Sequence, residues 1–204
     1  MRLVLLGPPG AGKGTQATLL CRAYDAPHVA TGEIFRANIR EGTELGQTAR
    51  EYIDRGDLVP DDVVIAMVMD RITEPDCADG FLLDGFPRTV AQAEALDRRL
   101  RRPSVPQEPL DAALNFEITE EELFRRLVGR AEREHRSDDA EDIVRHRLEV
   151  YHHKTEPLVE YYQRQELLIP VDGIGTIDEV HRRIRTSLEE RVGRQPGHLG
   201  VSSG

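Results

Sequence analysis

Tryptophan is absent from this 204-residue chain, aromatic residues make up only 5 %, and cysteine occurs twice. Cys21 and Cys77 stand far apart in no metal-like spacing. That excludes a disulfide framework and a cysteine-ligated zinc site, and it suits two inert thiols in a reducing, cytoplasmic setting. No stretch approaches the ~18 apolar residues that a membrane-spanning helix needs. The opening run Met1–Leu6 could begin a signal peptide, but it stops at Gly7 with no small-residue cleavage site after it. Basic charge is also short: 27 Lys and Arg face 37 Asp and Glu, for a net charge of −10. Such a surface argues against a nucleic-acid binder. It leaves a nucleotide substrate open, because a few local cations can dominate one cleft. Lysine is the scarcest of the charges. Among the 27 basic residues only Lys13 and Lys154 are lysine, so a chain that otherwise uses arginine keeps a lysine at position 13 for a reason.

What is present is an ordinary globular mixture, 39 % hydrophobic and 31 % charged, long enough for one good-sized core. Short apolar runs at Leu3–Leu6, His28–Ala30, Phe81–Asp84, Ala112–Phe116 and Leu167–Val171 read as strands. Helical patterns lie between them: Lys13 to Tyr24, Asp61 to Ile72, a helix capped by Thr89 to Arg101, and one opened at Thr119-x-x-Glu122 to Gly129. Thr31 is a plausible N-cap for a helix to Arg40, and glycines break the rest of 31–60 into short helices. A long helical stretch runs from Asp139 to Gln165, kinked at Pro157, and a last helix spans Thr176 to Arg191. Strands alternating with helices predict an α/β fold with a parallel five-stranded sheet covered on both faces. The expected organisation is one domain over 1–192, with a helical insert at 31–60, a short lid at 130–137 and a mobile tail at 193–204 rich in Gly, Ser and Pro.

The strongest motif is Gly7-Pro8-Pro9-Gly10-Ala11-Gly12-Lys13-Gly14-Thr15. It follows a predicted strand and opens a predicted helix, the context that a phosphate loop requires. Glycines let backbone N–H groups turn inward around phosphate, and the helix N-terminus adds partial positive charge. Lys13 brings a compact ammonium to the terminal phosphates, a task for which a planar guanidinium is poorly shaped. The general pattern wants Ser or Thr straight after the lysine; here Gly14 intervenes before Thr15.

That departure, together with Thr31-Gly32-Glu33-x-x-Arg36, Gly56-Asp57-Leu58-Val59-Pro60, Leu83-Asp84-Gly85-Phe86-Pro87-Arg88 with Gln92, Arg136-Ser137-Asp138-Asp139 and Val171-Asp172-Gly173, resembles the adenylate kinase family from Met1 to about Arg191. The resemblance implies a P-loop three-layer α/β/α fold and reversible transfer of a phosphoryl group from Mg·ATP to AMP. ATP would lie on Gly10, Ala11, Gly12, Lys13, Gly14 and Thr15, with Arg126, Arg130 and Gly175. AMP would lie on Thr31, Arg36, Leu58, Val59, Gly85, Arg88 and Gln92, with Arg136 and Arg147. Lys13, Arg88, Arg136 and Arg147 are the implied catalytic residues, since phosphoryl transfer rests on positioning and charge stabilisation. Arginine offers a phosphate dianion a bidentate fork, and the Gln92 amide can pair a donor and an acceptor with an adenine edge.

Asp84 would hold Mg²⁺ through water, or else serve as the turn residue before Gly85. Asp138 and Asp139 either orient the lid arginines or cap the following helix. Only Ala131–His135 separate Arg130 from Arg136, so the lid is the short kind, without cysteine and without structural zinc. His135 stands where short-lid relatives often carry glycine. His152 and His153 are adjacent and cannot share a helix face as ligands. Two other readings use the same machinery: a sister kinase acting on UMP, CMP or GMP, and a silent nucleotide-binding regulator. The second predicts decay among Lys13, Arg88, Arg136 and Arg147, and all four are present. A GTP switch is disfavoured because no Asn-Lys-x-Asp motif occurs. A monomer is expected, with no nucleic-acid or membrane partner.

Overall fold

The computed structural model describes residues 1–101, 109–134 and 141–193, without side-chain detail at 128 and 130–134. Five strands form a single parallel sheet: β1 (Arg2–Leu6), β2 (His28–Ala30), β3 (Phe81–Asp84), β4 (Ala112–Glu117) and β5 (Leu168–Asp172). Their order is β2-β3-β1-β4-β5, so chain order reverses around the central β1. The parallel five-stranded α/β architecture is the one the strand–helix alternation predicts.

Burial explains why β1 reads as an unbroken apolar run. All five of its residues are buried, with a neighbouring strand on each side and helices on both faces. Alternation along the strands divides the core. Val4, Leu6, Phe81 and Leu83 face Val68, Leu96 and Leu158 on one side. Leu3, Leu5, Leu82 and Leu114 face Leu20, Ile184 and Leu188 on the other. The first side is covered by α4 (Asp61–Arg71), α5 (Val90–Leu100) and α8 (Pro157–Gln163), and the second by α1 (Lys13–Tyr24) and α9 (Ile177–Val192). Pro170 has no N–H for the ladder, and it is accommodated because β5 is an edge strand and the residue is exposed.

Two helices, α2 (Thr31–Glu41) and α3 (Glu44–Ile53), form the helical excursion between β2 and α4. On the far flank α6 (Glu120–Glu134) and α7 (Glu141–Val150) share a small cluster of Leu123, Leu127 and Val144.

The structure moves several local features. Thr31 is not an N-cap: Ala30 holds that position without a side-chain bond, and the Thr31 hydroxyl turns instead to the end of β3. Helix α6 continues past Gly129 to Glu134. Only half of its capping box forms, because the Glu122 carboxylate is drawn to Arg125 and Arg126. The irregularity expected at Pro157 begins earlier, as a π-helical turn over Tyr151–Thr155 that ends where α8 starts. The extra residue in that turn uses an i→i−5 bond, Glu156 N–H to Tyr151 C=O at 2.9 Å, so the chain enters Pro157 without needing its missing donor.

Candidate active site

Parallel sheets form their crevices beyond the carboxyl ends of the strands. Register brings three such ends together: Leu5 pairs with Asp84 and Ala30 pairs with Asp84. The phosphate loop leaves β1, the Gly85–Arg88 turn leaves β3, and α2 begins directly after β2, all at one rim.

In the phosphate loop Gly12 caps α1 in a left-handed conformation. Gly10 has φ +90°, and a Cβ there would lie 2.8 Å from Leu127 Cγ, so glycine is required both by backbone and by space. The Lys13 ammonium donates to the carbonyls of Gly7 at 2.7 Å and Pro8 at 2.8 Å, folding its stem back over the loop. Arg126 stitches the loop to the end of the sheet. It donates to Ala11 C=O at 3.3 Å and Gly173 C=O at 2.9 Å, while Nε is held by Glu122 at 2.7 Å. The guanidinium groups of Arg125 and Arg126 bring the Glu122 carboxyl down from 4.5 to about 2.

Asp84 stands between the two halves of the rim. Burial raises its pKa, but the His28 imidazole, the Lys13 ammonium and the Arg88 guanidinium outweigh that and leave the carboxyl below its ordinary value. His28 Nε2 is 3.5 Å from Asp84 Oδ2, an ion-pair distance beyond good hydrogen-bond length. Asp84 is therefore ionised at neutral pH. Close by, burial and the Asp84 charge push the Cys21 thiol up to about 11, which makes it unreactive.

At the opposite end, Thr31 Oγ1 donates to Gly85 C=O at 3.0 Å, and Arg88 Nε donates to the same carbonyl at 2.9 Å. Gly85 has φ +80°, and a Cβ there would lie 2.7 Å from Thr31 Oγ1. The Arg88 peptide is gripped from both sides: its N–H donates to Gln92 Oε1 at 2.7 Å, and its C=O accepts from Thr155 Oγ1 at 2.9 Å. The Gln92 amide also reaches Asp61, with Nε2 to Oδ1 at 2.7 Å. Asp57, in the insert, meets His146 of α7 at 2.7 Å, and that bond, followed by Arg55, takes its carboxyl below the usual range.

A cleft of about 820 Å³ spans these regions. It is lined by Gly10, Ala11, Gly12, Lys13, Gly14 and Thr15 with Arg126 and Gly175, by Asp84, and by Thr31, Arg36, Leu58, Val59, Gly85, Arg88, Gln92 and Arg147. All these sequence-predicted residues thus share one cavity. Arg136, Asp138 and Asp139 lie outside the described residues, as does the side chain of Arg130. So do residues 102–108, His135 and the tail after Gly193. The sequence did not single out Asp61, Thr155, His28 or Glu122 as members of the site. Asp61 reads from sequence as a helix-opening acid, and Thr155 joins Arg88 across 67 residues, which no local pattern could announce. Among the described residues no group of three His, Cys, Asp or Glu could hold a metal ion, and no helix is long and apolar enough to cross a membrane.

A parallel sheet that delivers a Gly-rich, lysine-bearing loop to a helix N-terminus, with arginines facing it across the cleft, puts the molecule among the P-loop phosphotransferases of nucleotides. Residues 5–167 match the family model described as adenylate kinase. An adenylate kinase of Thermobifida fusca is 53 % identical over 192 residues, covering 94 % of this chain and 100 % of the relative. One of Mycobacteroides abscessus is 53 % identical over 188 residues, covering 92 % and 99 %, and one of Streptomyces avermitilis is 45 % identical, covering 93 % and 97 %. The chain belongs to the adenylate kinase family. It is an enzyme, a nucleoside monophosphate kinase with adenylate kinase function.

Proposed function

We propose that the cleft performs ATP + AMP ⇌ 2 ADP by direct in-line transfer, with ATP on the Lys13 loop and AMP on the Arg88 side. The observation that carries this assignment is that one cavity is lined at one end by Gly10–Thr15 and at the other by Thr31, Arg36 and Arg88. Two phosphorylated ends can therefore meet without a covalent intermediate. The attacking AMP phosphate is already anionic, so no general base is needed. Lys13 turns from the loop carbonyls to the terminal phosphates of ATP, which are charged acceptors. Arg88 and Arg36 take the AMP phosphate, with Thr31 as a hydroxyl donor and the backbone of Leu58 and Val59 beside the base. Gln92 meets the adenine edge.

Asp84 fits Mg²⁺ held through water, being a single ionised carboxylate beside the phosphate loop. When bound with ATP, Mg²⁺ would neutralise phosphate charge. Arg126, Arg130 and Gly175 serve the ATP end, while Arg136 and Arg147 close over the transferring group. Asp138 and Asp139 orient those arginines. We further place 130–137 as a short lid and 31–60 as the monophosphate insert, within a monomeric cytoplasmic enzyme. Closure excludes water, which would otherwise hydrolyse ATP.

The test is a coupled assay of ADP formation with Mg·ATP and AMP, UMP, CMP or GMP in parallel. A strong preference for AMP, lost in Lys13→Ala and Arg88→Ala, supports the assignment. Better turnover of another monophosphate moves it to a sister kinase, and no transfer to any acceptor overturns it.

A further inference from the structure

Gln92 presents a problem for base recognition: a free amide flips at little cost and would suit either of two opposite base edges. Adenine offers an acceptor at N1 and a donor at its 6-amino group. A 6-oxopurine offers the reverse, a donor at N1 and an acceptor at O6. An amide that can turn over serves both.

Here it cannot turn freely. Gln92 is 1 % exposed, and its two amide atoms face partners of fixed character. The Arg88 backbone N–H can only donate, so it demands the oxygen, at 2.7 Å. The Asp61 carboxylate can only accept when ionised, so it demands the nitrogen, at 2.7 Å. Asp61 is itself held, because its other oxygen accepts from Thr89 Oγ1 at 2.8 Å. That hydroxyl has one proton to give, and its lone pair receives the Gln92 backbone N–H at 3.2 Å. The ring Thr89–Asp61–Gln92 therefore closes with every donor and acceptor assigned by chemistry. After these bonds the amide retains one lone pair on Oε1 and one proton on Nε2. That pair complements an adenine edge. Flipping the amide would set two donors against each other at Arg88 and two acceptors against each other at Asp61.

We propose that Asp61 is a specificity-determining positioning residue: it holds the Gln92 amide in the one orientation that accepts a 6-aminopurine monophosphate and rejects a 6-oxopurine one. The inference rests on AMP binding beside Gln92, as proposed above. Asp61 touches no substrate. It lies on the first turn of α4, and its effect on the base passes through Gln92.

The test is kcat/KM for AMP and for IMP, which differs from AMP at the purine 6-position and N1 proton, in wild type, Asp61→Asn, Asp61→Ser and Asp62→Asn. Asn or Ser at position 61 can either donate to or accept from the amide, so both remove one of the two penalties on the flipped form and leave only the one at the Arg88 N–H; serine is well tolerated at a helix start. The AMP-to-IMP ratio should fall by roughly tenfold or more in both Asp61 variants. In Asp62→Asn, which removes the neighbouring exposed charge, the ratio should not change. If Asp61 merely secures α4, turnover of both nucleotides falls together and the ratio holds, which overturns the proposal. If either Asp61 variant does not fold, the other decides. Wild type that fails to phosphorylate AMP overturns the underlying functional assignment instead, before the variants are compared.

Discussion

The two ends of the cleft are built by different means. At the Lys13 end the phosphate cradle itself is one continuous piece of chain, strand, loop and helix, with Arg126 reaching it from α6, and the key bonds of Lys13 span only five and six residues. At the Arg88 end the site is gathered from β3, α2, α4, α5 and the π-helical turn, by side-chain bonds that span 28 to 67 residues. A phosphate can be cradled by backbone N–H groups that a local turn sets in place. A base and a mobile monophosphate must be read by side chains, and side chains keep their geometry only when other elements hold them. The first end depends on local backbone conformation, the second on the packing of the whole fold.

Substitutions can sharpen that contrast. Lys13→Ala should have the largest effect, a fall of about a thousandfold in kcat/KM with unfolding unchanged, because in the proposed reaction its charge acts on the transferring phosphates. Parallel rates and thermal melts check this; a loss under tenfold would remove Lys13 from the chemistry. Arg88→Ala should cost about a hundredfold, and Arg88→Lys should recover little of it, since a point charge cannot replace a guanidinium fork. Steady-state kinetics with AMP varied would read both.

Thr155→Val probes the gathered end alone. It removes the hydroxyl that holds the Arg88 carbonyl while preserving shape, so KM for AMP should rise by roughly three- to tenfold, the worth of one hydrogen bond. KM for ATP should not move. An equal rise in both would show that the turn acts on the fold and not on one end of the cleft.

The smallest effect concerns Glu122. Its carboxyl titrates at about 2 in the folded protein against a reference of 4.5, so its pairs with Arg125 and Arg126 stabilise the fold above pH 4.5 and lose that contribution as pH falls toward 2. Wild type should melt slightly higher than Glu122→Gln near neutrality, and the gap should close in acid. A gap that widens in acid would refute the sign.

The same contrast explains what could be read in advance. The β1–loop–α1 unit was legible almost to the residue, with only Arg2 outside the expected strand, because hydrophobic run, glycines and lysine are contiguous. Thr31 and Gln92 were legible as members of the site, but their bonding was not. Thr31 resembles a helix cap in sequence, yet its hydroxyl goes to Gly85, whose place next to it follows from strand register. Gln92 looks like a free amide, yet Arg88 and Asp61 already engage it. Asp61 and Thr155 gave no sequence signal as site residues, because their roles exist only after α4 and the π-helical turn have packed beside α5. The extension of α6 to Glu134 is hidden for a simpler reason: Gly129 looks like a helix end in sequence, although a single glycine does not stop a helix.

The most direct test of the central claim, one cleft joining an ATP end to an AMP end, is calorimetric titration with two adenosines linked by a five-phosphate chain. The account predicts one molecule bound per chain, with affinity weakened both by Lys13→Ala and by Arg88→Ala. Two molecules per chain, or an affinity that Arg88→Ala leaves intact, would contradict it.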